Sequence, residues 1–309
     1  MLLLSKFDAA AVRRILPQAT VMMGVPTFYT RLLADAAFGR DDCRSMRLFI
    51  SGSAPLLAAT HREFEQRTGH RILERYGMTE TGMITSNPLD GERVAGTVGF
   101  ALPDVEVRII RESGDADADS GEGAADRSHG ASEVQGTAPR PEAFQEAPPG
   151  EAGILEVRGP NVFRGYWRKP EQTARDLRSD GWFVTGDIAT RDADGRITLV
   201  GRAKDLIISG GLNIYPKEIE DVLDGCEGVA ESAVVGIPDH DFGEAVVAVV
   251  VPEAGRPADV DAWMSVVRAK LARFKHPRRI VVAAELPRNA MGKVQKNMLR
   301  ERLAREPAV

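Results

Sequence analysis

Five short stretches of this sequence hold residue types that act on phosphates, sugars and acyl groups. In RYGMTETG (Arg75–Gly82) the Tyr76 face can stack on a purine, the Thr79 hydroxyl can donate to a phosphate oxygen, and the Glu80 carboxylate can hold Mg²⁺. A turn followed by a helix start, with Thr79 as the cap, accounts for the same residues equally well. Asp187, in TGD, can accept from both hydroxyls of a ribose at once, and Arg202, in GRAKD, can donate to the same sugar. A solvated charge at a strand end is the ordinary alternative for each. In ISGGLNIYP the pair Gly210-Gly211 lets backbone approach a narrow ligand with no Cβ in the way, or simply makes a flexible turn. In LPRNAMGKVQK (Leu286–Lys296) a glycine before Lys293 suits a mobile loop that carries positive charge to a developing oxyanion, although most lysines are merely solvated.

The elements that must position these residues follow from periodicity and punctuation. Thr20–Gly24 reads as a buried strand, and Pro26 fits the first turn of a helix running to Ala36. Arg47–Ser51 is a second strand whose end, SGSAP (Ser51–Pro55), leads into a helix over Pro55–Thr68. His70–Glu74 is a third, ending in a loop at Tyr76–Glu80. Strand–helix–strand alternation predicts a parallel sheet covered by helices, with ligands gathered at the carboxyl ends of the strands. Val105–Ile110 and Gly153–Arg158 read as strands of a smaller β unit. Asp180–Pro216 reads as a strand, a polar turn at Asp192–Gly195, a strand over Arg196–Gly201, a charged pivot, a short apolar run, a glycine loop and a helix begun by Pro216. Beyond it the pattern predicts a helix over Pro216–Asp224, strands over Val229–Ile237 and Ala245–Val251, an amphipathic helix over Ala258–Phe274, a strand over Arg279–Ala283 and a terminal helix.

The interruption Arg111–Pro149 is rich in Gly, Ala, Ser, Pro and acidic residues, and its only apolar side chains besides alanines are Val134 and Phe144. Such a segment cannot bury enough surface to offset its ordering entropy, so a disordered surface insertion is expected. It holds nine acidic and three basic residues, which leaves the rest of the chain near +1 of the total −5. That balance gives no argument for nucleic acid or membrane as a partner. Twelve Lys or Arg crowd Arg268–Arg305, yet Phe274 is the only aromatic among them. A nucleic-acid reader would interleave aromatics there, whereas phosphate contacts or a solvated face explain the patch without them. Cys43 and Cys226 stand far apart with no metal-type spacing, which suits a reducing cytosol and a cytoplasmic protein. The opening MLLLSKFD is too short an apolar run for a signal or spanning helix.

Taken together, RYGMTETG, SGSAP, the TGD…GRAKD string and the LPRNAMGKVQK signature resemble the acyl-adenylate-forming enzymes, the superfamily of acyl-CoA synthetases, luciferase and peptide-synthetase adenylation domains. The resemblance implies an α/β fold: the later part of a large N-domain (residues 1–203, a parallel sheet with helices plus a small β unit), then a small mobile α+β domain (204–309). It implies that Gly52, Ser53, Ala54, Tyr76, Gly77, Met78 and Thr79 surround the nucleotide, with Tyr76 on adenine and Thr79 on the α-phosphate. Glu80 would hold Mg²⁺, Asp187 and Arg202 the ribose. Lys204 would be the hinge, Ser209, Gly210 and Gly211 would line the CoA pantetheine tunnel, and Lys293 would bridge the acid and the α-phosphate. ATP and CoA are the implied co-substrates.

Two stretches, VMMGVPTFYTRLL (Val21–Leu33) and LERYGMTETGMITSNP (Leu73–Pro88), resemble the malonyl-CoA synthetases within that superfamily. A dicarboxylic acid leaves one carboxylate unreacted, and burying it calls for a paired cation. Arg75 and Arg31 are the candidates. Alternatives are a short monocarboxylate as substrate, or a module that binds nucleotide or CoA without catalysis. The Ser/Thr/Gly-rich loop with which family members grip the β- and γ-phosphates does not occur here, and no GxxxxGK[ST] replaces it. The resemblance therefore implies a missing N-terminal part of the enzyme as a partner.

Overall fold

The computed structural model describes residues 2, 4, 7–111, 145–289 and 293–305. Helices and strands alternate at first: α1 (Ala9–Ile15), β1 (Val21–Gly24), α2 (Pro26–Leu33), β2 (Leu48–Ser51), α3 (Ala58–Thr68) and β3 (Leu73–Met78). β1, β2 and β3 are parallel neighbours, registered Val21↔Leu48 and Ile50↔Leu73. Their buried side chains meet α2 and α3 in an aromatic core, where Phe64 takes Phe49 and Tyr29 edge-on at centroid distances of 4.9 and 5.4 Å. The Tyr29 hydroxyl donates to the Ile50 carbonyl at 2.6 Å, so its polar tip is satisfied inside that core. α3 starts three residues later than expected, because the chain stays non-helical through the extended Leu57 that precedes it.

The third strand departs from expectation in a way that matters for the site. β3 does not stop at Glu74 but runs through Tyr76 to Met78, because β4 (Gly82–Ser86) folds back antiparallel on it and takes its backbone hydrogen bonds. Only Thr79–Thr81 remain as the turn. Gly77 permits that tight return: a Cβ there would lie 2.0 Å from the Gly82 carbonyl oxygen, which no side chain tolerates. β5 (Phe100–Ala101) completes this five-stranded sheet.

A second sheet is the antiparallel meander β6 (Glu106–Ile110), β7 (Gly153–Arg158), β8 (Phe183–Arg191) and β9 (Ile197–Arg202), with α4 (Pro170–Asp176) between β7 and β8. The β8–β9 turn forms as its residues demand, with Asp192 Oδ1 accepting from the backbone of Asp194 and Arg196 at 3.0 and 2.8 Å. Most of the insertion expected to be disordered, 112–144, lies outside the described residues. Its flanks are ordered, which narrows the expected Arg111–Pro149. Arg111 N–H donates to Gln145 at 2.9 Å and Ala147 N–H to Ile109 at 2.8 Å, so the backbone of β6 recruits both ends.

The last sheet follows a 3₁₀ turn at Ala203–Asp205. It holds β10 (Ile207–Ser209), β11 (Leu212–Ile214), β12 (Val229–Asp239), β13 (Gly243–Pro252) and β14 (Arg279–Val282). The run AVVAVVV of β13 is buried on both faces, as a central strand must be. Val246, Ala248 and Val250 pack with α5 (Pro216–Asp224) and α6 (Val260–Lys270), while Val247 and Val249 face α7 (Lys296–Arg305). α6 is shorter than expected: the Asp259 side chain caps it by accepting from Ala262 N–H at 3.0 Å, and Leu271 is extended. The expected glycine loop is a two-residue hairpin turn. Gly210 and Gly211 take φ of +58° and +77° between the paired residues Ser209 and Leu212, a conformation that glycine adopts without strain.

Candidate active site

The β8–β9 hairpin sets Asp187 directly opposite Arg202, and the pair meets as an ion pair, Nε to Oδ1 at 2.7 Å. The Tyr76 hydroxyl, brought in on β3, donates to the other carboxylate oxygen of Asp187. Thr185 braces the group from below: its hydroxyl donates to Leu155 O at 2.7 Å and accepts from Asp187 N–H at 3.0 Å. Burial pushes the Asp187 carboxyl above its ordinary range, and the charges of Arg202, Lys293 and Lys204, with the Tyr76 hydrogen bond, pull against it. Thus Tyr76 and Arg202, read from separate motifs, contact the Asp187 carboxylate directly, and the charges of Lys204 and Lys293 also favour its ionised form. Burial, followed by the Asp187 charge, drives the Tyr76 phenol well above its usual range, so it is a permanent donor.

Lys293 itself is exposed; its N–H donates to Asn289 Oδ1 at 3.0 Å and its carbonyl accepts from Asn289 N–H at 3.0 Å. Lys296 does different work. Its ammonium pairs at 2.6 Å with Glu220 of α5, and both groups are largely enclosed. Lys204 sits in the 3₁₀ turn between two anchored neighbours: Arg202 is held by Asp187, and Asp205 accepts from Arg300 of α7 at 2.9 Å. The Gly210-Gly211 tip belongs to the last sheet, where Gly210 N–H donates to Phe242 O at 2.8 Å and Ser209 pairs with Gly243.

A cavity of about 310 Å³ opens at the carboxyl ends of β1, β2 and β3. Gly52, Ser53, Arg75 and Gly77 line it together with apolar Met23, Phe28 and Met83. Ser53 takes φ of +69° there, and Gly52 lies flat against the Arg75 stem, where a Cβ would come 3.6 Å from Cγ. The Arg75 side chain is half-buried and has no ion-pair partner among the described residues. Arg31 is not brought to this cavity. It is exposed on α2, with its guanidinium 6.0 Å above the Phe7 ring, and Phe7 in turn stacks on the cavity residue Phe28.

Thr79 is exposed in the β3–β4 turn, and Glu80 beside it accepts from the Tyr166 hydroxyl at 3.2 Å. No group of three or more metal-ligating side chains exists among the described residues. A single carboxylate on a turn fits Mg²⁺, which binds through one or two carboxylates and completes its shell with substrate phosphates and water. A wide basic concavity of about 600 Å³ lies elsewhere, formed by Arg268, Arg273, His276 and Arg278.

Two features of the neighbourhood escaped the sequence reading. One is the contact between Tyr166 and Glu80. The other is Glu74, a buried acid on β3 next to Arg75. Burial raises its pKa to about 8, with the Gly96 N–H and the charge of Lys217 on α5 opposing the shift. A carboxyl whose folded pKa lies above its unfolded value adds stability that is fully present below the unfolded value and is lost as pH rises through about 8. Denaturant midpoints should therefore fall between about pH 4 and pH 8 in the wild type, and Glu74→Gln should flatten that slope.

Comparison with known proteins agrees with this geometry. A family profile described as AMP-binding enzyme matches residues 4–124, and one described as AMP-binding enzyme C-terminal domain matches 218–293. The chain belongs to the AMP-binding enzyme family. A mitochondrial malonate–CoA ligase of Mus musculus is 41% identical over 302 residues, covering 93% of this chain and 49% of that protein. A feruloyl-CoA synthase of an Amycolatopsis species is 38% identical over 98% of this chain and 56% of its own length. The ATP-bound crystal structure of MatB from Rhodopseudomonas palustris superposes with a TM-score of 0.85 at 48% identity, covering 98% of this chain and 55% of that one. The apo form of the same protein gives 0.71. The chain thus spans about half the length of the relatives it matches, and its elements follow the ATP-bound arrangement more closely than the apo one. No helix among the described residues is long and apolar enough to cross a membrane.

Proposed function

We propose that this chain carries the adenylate-binding and thiol-admitting part of an AMP-forming acid–CoA ligase that converts malonate, ATP and CoA to malonyl-CoA, AMP and pyrophosphate. The observation that carries the reading is the pair of contacts that Tyr76 and Arg202 make with the buried Asp187 carboxylate. In the first half-reaction a malonate carboxylate oxygen attacks the α-phosphorus of ATP and pyrophosphate leaves. Thr79 donates to the α-phosphate, Tyr76 packs on adenine with Gly52, Ser53 and Ala54 beside it, and Asp187 and Arg202 take the ribose hydroxyls. Lys293 neutralises charge shared by the attacking carboxylate and the α-phosphate. Mg²⁺ held at Glu80 and the phosphates would supply the remaining charge neutralisation.

In the second half-reaction the CoA sulfur attacks the acyl carbonyl and the AMP oxygen leaves. For that step residues 204–309 act as a small mobile domain turning about Lys204. Arg202 and Asp205 stay anchored on either side, so the backbone of Ala203 and Lys204 absorbs the rotation. Gly210-Gly211 then lines the thiol's approach, and the basic concavity at Arg268 and Arg273 suits the CoA phosphates. The unreacted malonate carboxylate pairs with Arg75, a half-buried guanidinium otherwise lacking a partner carboxylate. Because the chain spans about half of its relatives, a second reading is a unit that binds the nucleotide without turning it over.

Calorimetry with AMP on the chain itself tests the nucleotide site. Asp187→Ala should weaken AMP about ten- to a hundred-fold, the worth of hydrogen bonds to a charged group. An unchanged affinity would move the ribose elsewhere, and tight AMP binding without ATP–pyrophosphate exchange would favour the second reading.

A further inference from the structure

The turn that carries Glu80 is gripped by a loop far away in sequence. Asn161 Nδ2 donates to Thr81 O at 2.9 Å and, more weakly, to Met83 O at 3.3 Å. Phe163 N–H donates to the Glu80 carbonyl at 2.8 Å, and the Tyr166 hydroxyl reaches Glu80 Oε1 at 3.2 Å. The loop is itself rigid. Phe163 meets Tyr166 and Phe183 edge-on at 4.8 and 5.3 Å, and Tyr166 N–H donates to Thr173 Oγ1 at 2.9 Å, tying the tyrosine to α4. Gly165 leaves no room for slack: at φ of +137°, a Cβ would stand 2.7 Å from Thr173 Cγ2. The backbone bonds fix where the turn lies, but only the phenol acts on the carboxylate. It engages Oε1, and Oε2 has no hydrogen-bond or ion-pair partner among the described residues.

We infer that Tyr166 is a positioning residue which holds the Glu80 carboxylate in one rotamer, with one oxygen tethered and the other presented to the divalent cation of a metal–nucleotide substrate. The inference rests on the reading of Glu80 as the metal-facing carboxylate. A glutamate on a turn otherwise keeps its rotamer freedom and must lose it on binding. A phenol donor to one oxygen removes that freedom beforehand, as partners of metal-binding carboxylates do elsewhere. Tyr166 touches neither substrate nor metal. Its effect should therefore be confined to the coupling between cation and nucleotide.

The test is the dissociation constant of ATP for the chain, measured by calorimetry with Mg²⁺ and again with EDTA, the ratio of the two being the metal-dependent gain. Tyr166→Phe removes the hydroxyl and keeps the ring contacts, so folding is preserved. It should lower the gain about ten-fold, within the range for partners of metal ligands, and leave the EDTA value within about two-fold. Glu80→Gln should abolish the gain. A wild type with no gain, or a Glu80→Gln chain that keeps it, overturns the reading of Glu80 and the inference with it. Loss in Glu80→Gln beside an undiminished gain in Tyr166→Phe overturns the positioning role alone. A Tyr166→Phe chain that weakens ATP equally with and without Mg²⁺ does so too, since that is the behaviour of a merely structural residue.

Discussion

Lys293→Ala, in this chain joined to the upstream half of a malonate–CoA ligase relative, should lower malonate-dependent ATP–pyrophosphate exchange about 10²- to 10³-fold, the usual worth of one donor to transition-state charge. Thioester formation from preformed malonyl-adenylate and CoA should stay near the wild-type rate. The split follows from where the lysine sits. Its charge reaches Asp187, beside Tyr76 and Arg202, so in this arrangement it can serve the step in which the α-phosphate gains charge. On the proposal that the small domain turns about Lys204 to admit the thiol, that rotation would withdraw Lys293. The neighbouring Lys296 is the natural control. Already paired with Glu220 at 2.6 Å, it braces α5 against α7, and Lys296→Ala should cost stability rather than either chemical step. Equal damage to both half-reactions in Lys293→Ala would remove the lysine from its assigned role.

The proposed rotation bears on how the chain resembles its relatives. One protein, in ATP-bound and apo forms, superposes on it with TM-scores of 0.85 and 0.71 at nearly equal identity. Sequence divergence cannot cause that difference. We take the conformational difference between the two forms as support for the proposal that residues 204–309 move as a body.

What the sequence made legible is whatever depends on short-range signals. Pro216 starts α5 and Asp224 ends it, as the proline and the apolar spacing require. The bounds Gly153–Arg158 and the Asp192–Gly195 turn likewise follow from local alternation and turn chemistry. Misread segments are those where a distant partner decides. RYGM has a glycine and two polar side chains, and it is a strand only because β4 supplies its hydrogen bonds. Gly210-Gly211 has the composition of a loop, but β13 fastens its hairpin through Ser209↔Gly243. The same holds for the site. Individual residues could be nominated from motifs, yet Tyr76 and Asp187 meet across 111 residues and Tyr166 and Glu80 across 86. Nothing periodic marks Tyr166. Arg31 and Arg75 are both candidates by sequence, with Arg75 favoured by its place beside Tyr76, and the fold separates them: Arg75 faces the cavity and Arg31 is exposed over Phe7.

That separation gives the second large expectation. Arg75→Ala should lower kcat/KM for malonate about 10²- to 10³-fold, the cost of leaving a buried carboxylate without its cation, and should change kcat/KM for acetate or propionate little. The physical case is one of accounting for charge. Arg75 stands half-buried within β3 with no ion-pair partner among the described residues, its stem packed on Gly52, in a cavity whose lining includes the apolar Met23, Phe28 and Met83. A guanidinium kept there gives up part of its hydration, and an arriving anion offsets that loss by pairing with it. A monocarboxylate spends its one charged group on the α-phosphate and brings nothing to Arg75, so removing the arginine costs it little and enlarges an apolar cavity. A dicarboxylate brings the missing charge in bidentate geometry, which Lys in place of Arg would satisfy only in part. Arg75→Lys should accordingly fall between the wild type and Arg75→Ala for malonate. Arg31→Ala, from an exposed position, should weaken malonate far less than Arg75→Ala. If acetate and malonate decline together in Arg75→Ala, the residue is supporting the Tyr76 strand rather than reading the acid. The preference for a dicarboxylate must then come from another residue.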